Sequence, residues 1–479
     1  MKIQPMALVI AAACAALGGC GGGSSTPSSS PTTGGNTGAN TPATYAVGGQ
    51  VSGLLSGETV QLLNNNGDAL PVSADGSFTF PTALAAGSAY NVTVGTQPAG
   101  ASCSVSSGSG TVAAAVSNVA VTCSPVQMKN IALFLDESTG TLQPYSYDVA
   151  SGQLSALPAA PKGPGKAADA VLIDASATHA YTLGNNSAGA TQLSTFTIGA
   201  GGVIAASGTP LTVTGGGVSM VLDKSGQYLY TLGLTGGPTG PAITTYQVNA
   251  STGQPGLANT YTMPAGQIPT QLYASPTAEV LYALNPGNTS VSTFSIATTG
   301  NVSPTGSPIA TGKAPRAMAM TSDGKYAYVA NQGDETVSIY AVAADGTLSA
   351  ATTPTATVDV PGITGPLGAS PVSIAIDPSN HYLYVGDTGD QLIYQFQIDP
   401  TTGALKRLPT PTIASAAAPK QLSIVGDSTT GTVLYATDTA NGAVSAWTVN
   451  SATGQLSGSK LSSVTVNAGQ ALVGPAFGH

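Results

Sequence analysis

Few side chains in this sequence could do chemistry, and most of them stand alone. His179, His381 and His479 are scattered along 479 residues. The first two sit just before apolar runs containing Tyr181 and Tyr384, which reads as solvated histidines in hairpin turns. Three histidines so dispersed do not make a metal site. No serine lies in the strand–turn–helix elbow of a nucleophilic serine. Gly215-Gly216-Gly217 lacks the strand-to-helix setting of a phosphate loop. A recurring column is more informative: Asp136, Asn285, Asn331, Asp387 and Asp438 each end a short apolar run, and Gln332 follows Asn331. Such residues either close the next turn by bonding their own backbone, or ring a mouth that takes a small polar ligand or a cation. No metal or cofactor is expected.

The elements that carry this column repeat from about residue 128 onward. One unit runs Pro315-Arg316-Ala317-Met318-Ala319-Met320, a Ser322-Asp323-Gly324 turn, then Tyr326-Ala327-Tyr328-Val329-Ala330-Asn331. A third run, Thr336-Val337-Ser338-Ile339-Tyr340-Ala341-Val342, leads through Asp345-Gly346 to Leu348-Ser349. Four short strands joined by tight turns make one propeller blade. The third strand carries an aromatic in every unit (Tyr147, Phe196, Tyr246, Phe294, Tyr340, Phe396, Trp447), recurring every 46 to 56 residues. Six units add a second-strand tyrosine: Tyr181, Tyr230, Tyr282, Tyr328, Tyr384 and Tyr435. Rings at the same place in every blade pack neighbouring sheets together. Gly152, Gly253, Gly300, Gly346, Gly403 and Gly454 mark the following turn, where a positive φ suits glycine. The first unit lacks an innermost strand, and the chain ends in an unclaimed run, Gln470-Ala471-Leu472-Val473. The C-terminal strand is therefore expected to complete blade one, leaving no unpaired edge. The fold class is all-β: a seven-bladed β-propeller over 125–479, preceded by a small β-sandwich over 45–124.

Composition agrees. Only 7% of residues are charged and 42% are hydrophobic, with 61 Gly and 33 Pro, which suits a β-rich core. A net charge of −9 with 12 scattered basic residues offers no stripe to neutralise phosphates, so no nucleic-acid partner is expected. Residues 1–19 read as a signal peptide, with Lys2 and an apolar run from Met6 to Leu17 that is too short to span a bilayer. The chain from Cys20 to Thr44 is Gly-, Ser- and Thr-rich and reads as a flexible tether. Export leaves Cys103 and Cys123 as an isolated pair in an oxidising compartment, and one disulfide is the expected outcome.

Several resemblances add to this reading. Leu17-Gly18-Gly19-Cys20 resembles a bacterial lipobox, which implies cleavage before Cys20, lipidation of its thiol and a membrane anchor; Gly21 resembles the outer-membrane sorting pattern. Residues 45–124 resemble carboxypeptidase-regulatory or immunoglobulin-like modules, and a spacer role is expected. The string Tyr326-Ala327-Tyr328-Val329-Ala330-Asn331, and Tyr384-Val385-Gly386-Asp387 after Asp377-Pro378-Ser379, resemble the YVTN-type repeat. The seven-fold count is similar to the lactonase family, which includes phosphogluconolactonases and the fungal muconate-lactonising enzyme. That resemblance implies a Gly-Pro-Arg-His element and an Asn-Glu pair, in which Arg steadies an anion or oxyanion while His and Glu move protons. Here the element reads Ala314-Pro315-Arg316-Ala317 and the pair Asn331-Gln332. Arg316 is the catalytic candidate that the resemblance supplies, and the two proton-moving positions are lost. By topology Asp334, Glu335 and Asp387 are the nearest carboxylates to it.

The expected protein is a monomeric envelope lipoprotein whose propeller binds a small ligand or an envelope protein, with lactone hydrolysis as the alternative. The anchor is testable directly. Cys20→Ser should move the protein from the membrane fraction to the soluble envelope fraction; a variant that still sediments with membranes would show that Cys20 carries no lipid.

Overall fold

Every repeat folds into an antiparallel sheet because short alternating runs are separated by turns that only glycine or a turn-forming polar residue fits. The computed structural model describes residues 43–479 except 56, 99, 127, 129, 159, 161–165, 235–239, 265, 351–355, 358–369, 416–417, 428–429, 439–441, 458–461, 466–471 and 479. Backbone alone is described for 166–168, 356–357, 438 and 462–465. The leader, Cys20, nearly all of the tether and His479 lie outside the described residues.

Among the described residues, seven blades follow one another, each with four strands running from the inside outward, and in blades four and five the short strands Ile309–Ala310 and Ala356–Thr357 also pair with the third strand. Blade five is typical: Pro315–Met320, Tyr326–Asn331, Thr336–Val342 and Leu348–Ala350. Blade one is the exception. Its Ile131–Asp136, Leu142–Tyr147 and Leu154–Ala156 are completed on the inside by the C-terminal strand Leu472–Phe477. The expected closure is therefore present, with Ala132 opposite Phe477 and Asp136 opposite Leu472. Gly478 N–H donates to the Ile131 carbonyl at 2.9 Å, and the Tyr147 hydroxyl donates to the Gly478 carbonyl at 2.9 Å. Phe477 lies between the rings of Tyr147 and Tyr435, with centroids at 5.1 and 5.3 Å. The seven inner strands approach one another in series, and Leu472–Phe477 closes the circuit between blades seven and two.

The third-strand aromatics and second-strand tyrosines are all buried. Their packing explains the glycines. Tyr181, Tyr230, Tyr328 and Tyr384 donate their hydroxyls to the carbonyls of Gly253, Gly300, Gly403 and Gly454, each in the outer turn of the next blade, at 2.6 to 3.1 Å. Tyr282 does the same to Gly346 at 2.6 Å. The residue two places earlier lies on the same glycine: His179 on Gly253, Tyr228 on Gly300, Tyr326 on Gly403 and Tyr382 on Gly454. His179 is thus no solvated turn residue. Its side chain is 13% exposed, and Nδ1 sits 3.0 Å from Asp174 Oδ2. His381 stays exposed, with Nδ1 2.9 Å from Ser379 Oγ.

Ahead of the propeller, two four-stranded sheets share one apolar core that includes Val47, Leu62, Phe78, Phe80, Val92 and Val121. The expected disulfide joins Cys103 of Ala101–Ser106 to Cys123 of Val116–Pro125, directly paired residues on neighbouring strands. Closing that loop stabilises the module by roughly 3 kcal/mol. The module meets the propeller through Val126, whose N–H donates to Gly100 and whose carbonyl accepts from Gly201 in the outer turn of blade two. The Glu58 carboxylate is buried at this junction, and Oε1 accepts the Gly100 N–H at 2.5 Å.

Gly454 and Gly87 separate the two demands made on such turns. Both have positive φ, 70° and 84°, but a Cβ on Gly454 would strike the Tyr382 ring, whereas one on Gly87 meets nothing within 4 Å. Each Ala substitution should cost about 1–2 kcal/mol for the left-handed backbone. Gly454→Ala should cost more, because the ring must also shift. Equal losses in chemical denaturation would show that the ring contact contributes nothing.

Candidate functional site

The inner strands surround a cavity of about 730 Å³ on the axis. Antiparallel pairing sets which end of each blade faces it. Pro315 opens the inner strand of blade five opposite Asn331, which closes the second strand opposite Thr336. The start of every inner strand and the end of every second strand therefore lie on one face.

At that face the ladder slips. The pairing of inner and second strands shifts register between Pro315 and Ala317, Pro371 and Ser373, Pro419 and Gln421, and Ala168 and Ala170. One residue is left unpaired each time: Arg316, Val372, Lys420 and Asp169. All four line the cavity. A β-bulge frees a residue from the alternation of the strand and re-aims its side chain, and here it presents a charged group in three of these four blades.

The second strands contribute the residue after the polar column. Glu137, Gln332 and Thr388 line the cavity; Asp136, Asn331 and Asp387, one position earlier, do not. Asp136, Asn285, Asn331 and Asp387 are buried at 0–1% exposure and hold turns. Asp136 Oδ1 accepts from the N–H groups of Ser138 and Thr139 at 2.8 and 3.0 Å and from Ser138 Oγ at 2.7 Å. Burial alone would raise this carboxyl; those bonds outweigh it and hold the group below the ordinary range. Asp387 accepts from Gly389, Asp390 and Ser370 N–H, yet burial dominates and raises it. Asn331 Nδ2 donates to Thr336 and Ser338 hydroxyls, and Asn285 Nδ2 to Ser292 Oγ. The structure thus brings the catalytic candidate Arg316 to the cavity and, of the described side chains expected at a ligand rim, only Gln332; Asp136, Asn285, Asn331 and Asp387 close turns behind it. The backbone of Asp438 pairs with Pro419; its side chain lies outside the described residues.

Arg316 is positioned by a relay. Its Nε donates to Gln332 Oε1 at 2.7 Å, Gln332 Nε2 donates to Ser370 Oγ at 2.6 Å, and Ser370 N–H donates to Asp387 Oδ2 at 2.7 Å. Blades five and six are joined through it. Asp334 and Glu335 lie elsewhere: Asp334 accepts from Lys313 N–H at 2.9 Å and Thr336 Oγ1 at 2.8 Å, and neither carboxylate lines the cavity. The carboxylates that do are Glu137 and Asp169, which sequence reasoning missed. Glu137 pairs with Lys420 at 3.3 Å. Asp169 lines the cavity and is exposed to solvent there. The partial desolvation of its carboxyl in the concave wall, with the Glu137 charge adding to it, pushes the group up to about 6.

A model of the lactonase family, described as a seven-bladed beta-propeller, matches residues 232–473, half of the chain. The chain belongs to the lactonase family. No curated protein matches the sequence. Among solved structures, this lactonase-family chain is similar to a candidate 6-phosphogluconolactonase of Bacteroides uniformis, with a TM-score of 0.61 and 14% identity over 73% of this chain and 100% of the other. It is also similar to the periplasmic gluconolactonase of Pseudomonas aeruginosa, with a TM-score of 0.59 and 16% identity over 72% and 99% of the two chains. At these identities the shared property is the fold. The glutamate and histidine that the family resemblance implies are here Gln332 and Ala317, while Glu137 occupies in blade one the place that Gln332 holds in blade five.

The raised Asp169 carboxyl has a signed consequence for stability. A group whose folded pKa exceeds its unfolded value contributes stability that is complete below the ordinary pKa near 4 and is lost as pH rises through about 6. Asp169→Asn is neutral throughout. Its melting temperature should exceed that of the native protein above pH 6 and converge with it below pH 4. A constant offset between the two would contradict the assignment.

Proposed function

We propose that this lactonase-family propeller is an extracytoplasmic binding module for a small polar ligand, carried on a lipid anchor at Cys20 and a spacer sandwich. The observation that carries the binding reading is Arg316 in the axial cavity: an exposed guanidinium held by a neutral Gln332, with no acid or base beside it among the described residues. Arg and Gln together bind a carboxylate or an array of hydroxyls, but neither moves a proton. The Cys103–Cys123 disulfide supports an oxidising compartment. The anchor rests on the leader and Cys20 in the sequence.

A second reading, lactone hydrolysis, is favoured by Asp169, whose carboxyl near 6 suits a general base at neutral pH. In that reaction a water oxygen attacks the ester carbonyl while Asp169 takes its proton, the ring C–O bond breaks, and the proton passes to the released alkoxide. The placement of Arg316 argues against it. In a ring of seven, blades one and two are each three places from blade five, the greatest separation the ring allows, so Asp169 and Arg316 do not converge on one carbonyl.

Full-length protein should bind gluconate, detected calorimetrically, with affinity at least about ten-fold weaker in Arg316→Ala, a loss of roughly 1.4 kcal/mol. A panel of sugar and aliphatic lactones should show no turnover above the spontaneous rate. Turnover that disappears in Asp169→Asn and declines as pH falls below about 6 would replace binding with hydrolysis.

A further inference from the structure

The cavity walls carry four formal charges: Arg316, Lys420, Glu137 and Asp169. They sum to zero, but they are not paired to zero. Lys420 and Glu137, from blades seven and one, neutralise each other at 3.3 Å. Among the described residues no ion pair reaches Arg316, whose one described side-chain bond is the neutral one to Gln332. Nor does any described hydrogen bond or ion pair reach the Asp169 carboxylate, although Glu137 is close enough to act on it. One cation and one anion are left over, both on bulges and both facing the same cavity from opposite sides of the axis.

Both side chains are exposed to solvent in the cavity, where water satisfies them, but unpaired charges of opposite sign on facing walls complement a ligand that carries both. Neutral solutes satisfy neither. A dianionic sugar phosphate would satisfy Arg316 but bring its charge toward Asp169 and Glu137. A ligand with a carboxylate at one end and an ammonium at the other satisfies both.

We infer that the axial cavity selects a zwitterionic small molecule, laid across the propeller axis with its carboxylate on Arg316 and its ammonium on Asp169. This rests on the cavity being a binding site, as proposed above, and adds the ligand class. Arg316 offers the planar terminal nitrogens of its guanidinium, because the Nε is already taken by Gln332 and the ring of donors is thereby fixed in orientation. Gln332, Gln271 and Thr388 supply neutral hydrogen-bonding groups around the cavity, suited to hydroxyls on the chain between the two charged ends. A cavity of about 730 Å³ accommodates a six-carbon ligand of this kind. Tyr273, also on the wall, is occupied with Gln271 Oε1 and remains neutral, its hydroxyl raised by burial.

The test compares three six-carbon probes on the full-length protein by calorimetry: 6-amino-6-deoxygluconate, which carries a carboxylate at C1 and an ammonium at C6; gluconate, which carries only the anion; and glucosamine, which carries only the cation. The zwitterion should bind about ten-fold more tightly than either. Asp169→Asn should reduce its advantage over gluconate to about two-fold or less, with gluconate affinity unchanged or slightly improved. Arg316→Gln should weaken both carboxylates and leave glucosamine unaffected. The advantage of the zwitterion should also fade as pH falls through about 6, when Asp169 takes up a proton. Melting temperatures of both variants identify any loss that comes from unfolding. Equal affinity for the zwitterion and gluconate would overturn the inference while leaving the cavity as an anion-binding site. If none of the three probes binds, the inference and the binding function proposed above fail together.

Discussion

The structure depends on a hydroxyl reaching from one blade to the next. A second-strand tyrosine donates to the carbonyl of a glycine in the outer turn of its neighbour, and the residue two places earlier covers that glycine's bare Cα. Apolar sheets facing each other can slide, because the hydrophobic effect has no direction. A buried hydrogen bond cannot slide without leaving a carbonyl unsatisfied. Repeated at the five interfaces from blade two to blade seven, this contact sets how far and at what angle those blades stand from one another, and so the width of the space on the axis.

Frame and site use different residues of the same strands. The regular part of each ladder is buried and nearly invariant in character, with rings, small residues and turn-closing Asp or Asn. The bulged position belongs to no ladder. It holds Arg316 in blade five, Val372 in blade six, Lys420 in blade seven and Asp169 in blade two. A change of charge there alters the cavity without disturbing a backbone hydrogen bond. The position just past the second strand varies likewise, with Gln332 in blade five and Glu137 in blade one on the same scaffold.

Most of the frame was legible in the sequence. Aromatic spacing, turn glycines and the unclaimed C-terminal run led to seven blades and their closure, because each reports a local rule repeated many times. Arg316 and Gln332 were legible through a family pattern. Glu137, Asp169 and Lys420 were not, for two physical reasons. A bulge frees Asp169 and Lys420 from the alternation of the inner strands, and the second strands reach the cavity with the residue just past their last ladder position, so a column read at the strand end lands on Asp136 and Asn331 instead of Glu137 and Gln332. Partnership between the first and last blades also depends on ring closure, which brings Glu137 to Lys420 from 283 positions away. The part-buried place of His179 was missed for a related reason: the glycine it lies on, Gly253, belongs to the next blade.

Closure by Leu472–Phe477 has a consequence for how the molecule is made. A ribosome releases the chain from its N-terminus, and a secreted chain crosses the membrane in the same order. Blade one must then wait, with the inner edge of Ile131–Asp136 bare, until the last dozen residues arrive. Six blades can assemble before the seventh gap is filled, but the axial cavity cannot take its final shape, or any occupant, in a chain that stops short of its end.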